Sequence, residues 1–171
     1  DALNRASNLS RRSVIIHGWT LFDWAQTGHL TQTNRAALAG FFGGNAEFEA
    51  CFRGALAAGK PDANLWERRR VGRDLVGHTR LVHYAAWSAL ESEQAGRTGV
   101  ALGRLIEGWR LCVNSGAAGL TRSELATLAG AWRRLAIEGP DIDASEGRQL
   151  IAALADGRET LPRVDVEFLR P

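Results

Sequence analysis

Val100–Val113 reads VALGRLIEGWRLCV, and its spacing decides the fold class. Leu102, Leu105, Ile106, Trp109, Cys112 and Val113 recur at intervals of three and four, so they share one side of a helix, while Arg104, Glu107 and Arg110 avoid that side. A half-buried strand would alternate every second residue and does not produce this pattern. The segment predicts an amphipathic helix with one buried face, and Asn114-Ser115-Gly116 is its exit.

The same signals continue downstream. Thr121-x-x-Glu124 is a capping box, and Leu120 before it can staple onto Leu125. Leu125, Leu128, Trp132 and Leu135 make the next buried stripe, and Gly139-Pro140 ends it. Asp143-x-x-Glu146 repeats the start signal for a last helix carrying Leu150, Ile151 and Leu154. Beyond it, Val164, Val166 and Phe168 alternate with Asp165 and Glu167, which reads as a strand.

Upstream, Asp62 opens a long helical stretch to about Glu93, with Val71, Leu75, His78, Val82, Ala85 and Ala89 as its stripe. His78 is expected to be a hydrogen-bonded core residue, and His83 a rim residue. Before it, Asn45 can cap a helix with Glu47 and Glu49 in its first turn and Phe48, Phe52, Ala55 and Leu56 on its apolar face. Thr33 can cap another through Leu38, Phe41 and Phe42. Ser13–Phe22, SVIIHGWTLF, suits a short strand or the start of a helix, and residues 1–12 form a polar arm. The chain of 171 residues is therefore expected to be one mainly α domain, a bundle of five to six helices. One small two-stranded pairing of the N- and C-terminal segments, Val14–Ile16 with the tail, is an option.

Composition bounds the function. Hydrophobic residues make up 45% and charged residues 23%, which excludes a disordered chain. No apolar run approaches the roughly 20 residues a membrane helix needs. Net charge is only +2, so bulk attraction to a polyanion is small and any basic surface must be local. Lys60 is the single lysine among 21 basic residues; the rest are Arg, whose planar fork suits phosphate, although GC-rich coding produces the same bias. Cys51 and Cys112 match no metal or redox motif and fall inside expected helices, which predicts buried free thiols in a cytoplasmic protein.

The densest basic feature is Trp66-Glu67-Arg68-Arg69-Arg70, continued by Arg73 and Arg80. Four Arg within residues 68–73 offer forked donors to phosphates, with Trp66 as a stacking surface. Arg133-Arg134 and Arg11-Arg12 are further basic points. Trp66, Arg68, Arg69, Arg70, Arg73, Arg80, Arg133 and Arg134 are thus the candidate contacts to RNA or DNA; the competing reading is a solvated helix face paired locally with Glu67 and Asp74.

Gly119-Leu120-Thr121-Arg122-Ser123-Glu124-Leu125-Ala126-Thr127-Leu128-Ala129-Gly130 is similar to the second helix of repressor-type DNA-binding domains. That resemblance implies a recognition helix after Gly130. The chain departs from the pattern there, running straight into Ala131-Trp132-Arg133-Arg134-Leu135.

Signals for catalysis are sparse. His17, Asp23 and His29 form the single His/carboxylate cluster along the sequence, at a spacing of six and six that fits no ligand motif. Gly40-x-x-Gly43-Gly44 lacks the Lys-Ser/Thr of a phosphate loop. The tryptophans read by default as core or helix-interface residues. The leading expectation is a non-enzymatic helical nucleic-acid-binding or nucleoprotein accessory subunit without cofactor or metal. The alternatives are a protein–protein or homo-oligomerisation module, and an enzyme built on His17, Asp23 and His29.

Overall fold

The computed structural model describes residues 14–44, 46–58, 72–115 and 122–138, together with 148 and 152. These form α1 (Val14–Thr27), α2 (Gln32–Leu38), a five-residue π-helical turn (Ala39–Gly43), α3 (Glu47–Ala57), α4 (Gly72–Gln94), α5 (Thr98–Ser115) and α6 (Arg122–Glu138). The described residues contain no strand. The mainly helical expectation holds. Val14–Ile16 lie within α1, so they are not half of a strand pair; the arm at 1–12, the Arg-rich stretch 66–70, the tail strand and the last helix, apart from the helical residues 148 and 152, lie outside the described residues.

Local signals set most of the helix ends. Gly28, at φ 71°, closes α1 with its N–H donating to the Trp24 carbonyl at 2.8 Å. Gly96, at φ 70°, closes α4: its N–H donates to Glu93 O and the Arg97 N–H to Ser92 O, the paired bonds that satisfy the last carbonyls of a helix. Both positions lie in the left-handed region, where a Cβ is penalised. The α2 cap is Thr31, whose hydroxyl accepts from Asn34 N, rather than Thr33 two residues on. α3 begins at Ala46 without a side-chain cap.

α4 is the central helix. α1, α3, α5 and α6 all pack on it, most extensively α5, while α1 and α6 form the second large contact. Leu81, Val82, Ala85, Ala86, Ala89 and Leu90 are fully buried. The α5 stripe holds as read for Leu102, Leu105, Ile106 and Cys112, and Leu128, Trp132 and Leu135 of α6 close the core. Small residues allow close helix approach. A Cβ at Gly108 would stand 3.0 Å from the Ala85 Cβ and 3.2 Å from Leu128 Cδ2, and one at Gly18 would stand 2.7 Å from His83 Cε1.

That central position corrects three expectations. Arg80 is 1% exposed and His83 5%, because a helix covered on several sides buries residues well away from its main stripe. Arg134 is 8% exposed, drawn inside by a carboxylate on α4. The helix read from the Leu125–Leu135 stripe runs unbroken from Arg122 to Glu138, as expected, so it contains no turn into the recognition helix that the repressor resemblance would require.

Candidate functional site

Two polar arrangements and one apolar surface stand out among the described residues. The first joins α3 to α5. Arg53 Nε donates to Glu49 Oε1 at 2.8 Å and its Nη1 to Glu107, while Arg104 donates to Glu49 Oε1 at 3.1 Å and to Glu107 Oε2 at 3.3 Å. Each guanidinium therefore touches both carboxylates, and the four groups close into a ring. The Tyr84 hydroxyl of α4 adds a bond to Glu49 Oε2 at 2.7 Å. Burial alone would raise Glu49, but its bonds from Tyr84, Arg53 and Arg104 outweigh that and hold its carboxyl below the usual range. Burial, then Glu49, push the Tyr84 hydroxyl up, so it stays a donor.

Beneath this ring lies an aromatic cluster. Phe48 stacks on Tyr84 at 5.6 Å and Phe42 on Trp87 at 5.6 Å, while Phe52 lies under both Arg53 and Arg104, at 5.8 and 5.9 Å. The π-helical turn carries Phe41 and Phe42 into the cluster, and a Cβ at Gly43 would meet the Trp87 ring at 3.4 Å. Opposite charges are matched here two for two, so the arrangement is a cross-helix clamp rather than an anion site. Glu49–Arg53 and Arg104–Glu107 are legible in the sequence as i,i+4 and i,i+3 pairs; the bonds between helices that close the ring are not.

The second arrangement joins α4 to α6. Arg134 donates to both oxygens of Glu93 and lies 5.0 Å above the buried Trp24 ring. Its stem also packs on Gly28, where a Cβ would stand 3.2 Å from Arg134 Cδ. Such a guanidinium is committed to the fold.

Of the eight basic-surface candidates, then, Arg80 and Arg134 are interior and Arg133 is exposed on α6. Arg73 falls in the first turn of α4 with its side chain outside the described part, and Trp66, Arg68, Arg69 and Arg70 lie outside the described residues. Asp23 and His29 are each exposed, and the His17 side chain is not among those described. Among the described residues, no group of three or more His, Cys, Asp or Glu is placed to hold a metal ion. Cys51 and Cys112 are free thiols and buried, as expected. Burial, with a smaller contribution from Glu124, pushes the Cys112 thiol up and keeps it protonated. No described helix is long and apolar enough to cross a membrane.

The apolar surface is on α1. Trp19 is 68% exposed, and Phe22, one turn on, meets it edge to face at 6.1 Å and 84°. The opposite face of α1 buries Leu21, Trp24 and Ala25. The default reading of tryptophan as core missed this. A helix apolar on both sides was the available signal, since Ile15, Trp19 and Phe22 share the i, i+4, i+7 register opposite Leu21 and Trp24.

Comparison with known proteins adds no relative: no family model, no curated protein and no solved structure matches the chain.

Proposed function

We propose that the protein is a non-catalytic helical interaction module that self-associates through the outer face of α1, with Trp19 and Phe22 at the centre of the contact. The observation that carries this reading is the exposure of Trp19, at 68%, on a helix already anchored by its other face. Tryptophan is the costliest side chain to leave in water and a leading interface anchor. One patch meeting its own copy across a twofold axis is the commonest route to a soluble oligomer. Sedimentation of the full chain over a range of concentrations tests it. Wild type is expected to associate, and Trp19→Ser to weaken that association about thirtyfold, the equivalent of about 2 kcal/mol for an interface anchor. A monomer at every concentration contradicts the reading.

A second reading, contact with RNA or DNA as an accessory subunit, rests on the Arg density of residues 68–73 beside Trp66 and on the exposed Arg133. It has lost Arg80 and Arg134 to the interior. Its test is anisotropy with labelled single-stranded RNA, single-stranded DNA and duplex DNA. Binding that falls steeply with salt and weakens on Arg69→Ala plus Arg70→Ala supports it, and no binding at low salt removes it.

A further inference from the structure

His78 lies where α4 meets α5 and α6, and it is 2% exposed. Its Nε2 is 3.0 Å from the Leu111 carbonyl oxygen. A carbonyl only accepts, so Nε2 carries the proton and Nδ1 presents a lone pair. Nδ1 is buried and has no hydrogen-bond partner among the described residues. From α6, Glu124, 1% exposed, acts on His78, and it acts also on Cys112 of α5, likewise 1% exposed and next in the chain to Leu111. On α4 itself Arg80 and His83 are buried as well. The other two helices on α4 act further along: α1 sets Gly18 against His83, and α3 brings Glu49 to Tyr84.

Burial pushes the imidazole below its ordinary range, and the Leu111 bond and the Glu124 charge oppose that only in part. The neutral ring is the form the fold accepts. The sign follows: the contribution of His78 is fully present above its ordinary value of 6.5 and is lost progressively as pH falls below it.

We propose that the α4–α5–α6 junction is an acid-sensitive latch, in which a proton added to Nδ1 of His78 creates a buried cation that the Leu111 bond and the Glu124 charge offset only in part, and opens α5 around Leu111 and Cys112 to solvent. The event is local, because the aromatic cluster and the Arg–Glu ring hold α3 on α4 and α5 independently of His78. Cys112 and Cys51 report the two regions separately. Cys112 adjoins Leu111, whereas Cys51 is buried on α3.

The test is labelling of the full chain with 4,4′-dithiodipyridine, a disulfide that reacts with thiols in acid, from pH 7.5 to 5, scaled at each pH to the urea-unfolded chain. Cys112 labelling is expected to rise by up to about tenfold per pH unit as pH falls below 6.5 and to level off once the site is mostly open, with Cys51 still protected. His78→Gln, whose amide can donate to Leu111 but does not titrate, is expected to abolish the rise. The proposal is overturned if Cys112 labelling is flat with pH, if both cysteines become reactive together, or if His78→Gln keeps the rise. Should that variant not fold, imidazole C2–H exchange in the wild type decides: a His78 midpoint below the ordinary 6.5 supports the latch, and one at or above it overturns it.

Discussion

Arg134 on α6 holds both carboxylate oxygens of Glu93 on α4, with Nη2 2.7 Å from Oε2 and Nη1 bonded to Oε1. The pair ties the α1–α6 layer to the central helix, since the same guanidinium lies over Trp24 of α1. Truncating one partner leaves the other charge desolvated and unanswered, a loss of about 3 kcal/mol for a largely buried pair. Arg134→Ala and Glu93→Ala are each expected to lower stability in urea unfolding by about that amount. The double variant is expected to lose clearly less than the sum, because the two changes remove one interaction.

Two glycines of α5 are expected to respond to alanine with opposite signs. Among the described residues nothing lies within 4 Å of a Cβ at Gly103, so Gly103→Ala is expected to stabilise by up to about 1 kcal/mol through helix propensity alone. At Gly108 the new methyl meets Ala85 at 3.0 Å and Leu128 at 3.2 Å. Overpacking there costs about 1–3 kcal/mol and outweighs the same gain. Urea midpoints of the two variants, compared at equal slope, check both signs.

Tyr84→Phe keeps the ring that stacks on Phe48 and removes one donor from Glu49. A charge-assisted bond of this kind contributes about 1–2 kcal/mol, and that is the expected loss at neutral pH. Because Glu49 is held below its ordinary value of 4.5, its contribution is present above that pH and disappears as pH falls through and below it. The gap between variant and wild type is therefore expected to narrow in acid. Thermal unfolding of both proteins from pH 7 to 3 measures it.

Trp19 is 68% exposed and meets Phe22 on its own helix, so in the dissociated protein Trp19→Ser is expected to change stability by no more than about 0.5 kcal/mol. Its effect belongs to association. Unfolding measured at the lowest workable concentration separates the two.

The fold was legible where a helix buries one face. α5 is the clearest case: Leu102, Leu105, Ile106 and Cys112 are all buried, as their spacing requires. Legibility failed on α4 for the opposite reason. Neighbours on several sides bury Arg80 and His83, whose polarity had placed them outside. Arg134 misled in the same way, because the Glu93 that neutralises it lies 41 residues away in the chain. Ion pairs within one helix follow from i,i+3 and i,i+4 spacing, whereas pairs between helices depend on packing that no local pattern encodes. On α1 the pattern was present but ambiguous: a segment apolar on two sides and rich in β-branched and aromatic residues reads as either strand or helix until its length is known.

The measurement that reaches the central claim most directly is oxidative footprinting of Trp19 by mass spectrometry, at protein concentrations below and above any association midpoint. Trp24, fully buried within the same helix, serves as the internal reference. If α1 is the contact between copies, Trp19 oxidation is expected to fall several-fold as the protein associates, with Trp24 unchanged. Trp19 oxidised equally at every concentration would contradict the assignment of this face as the interface.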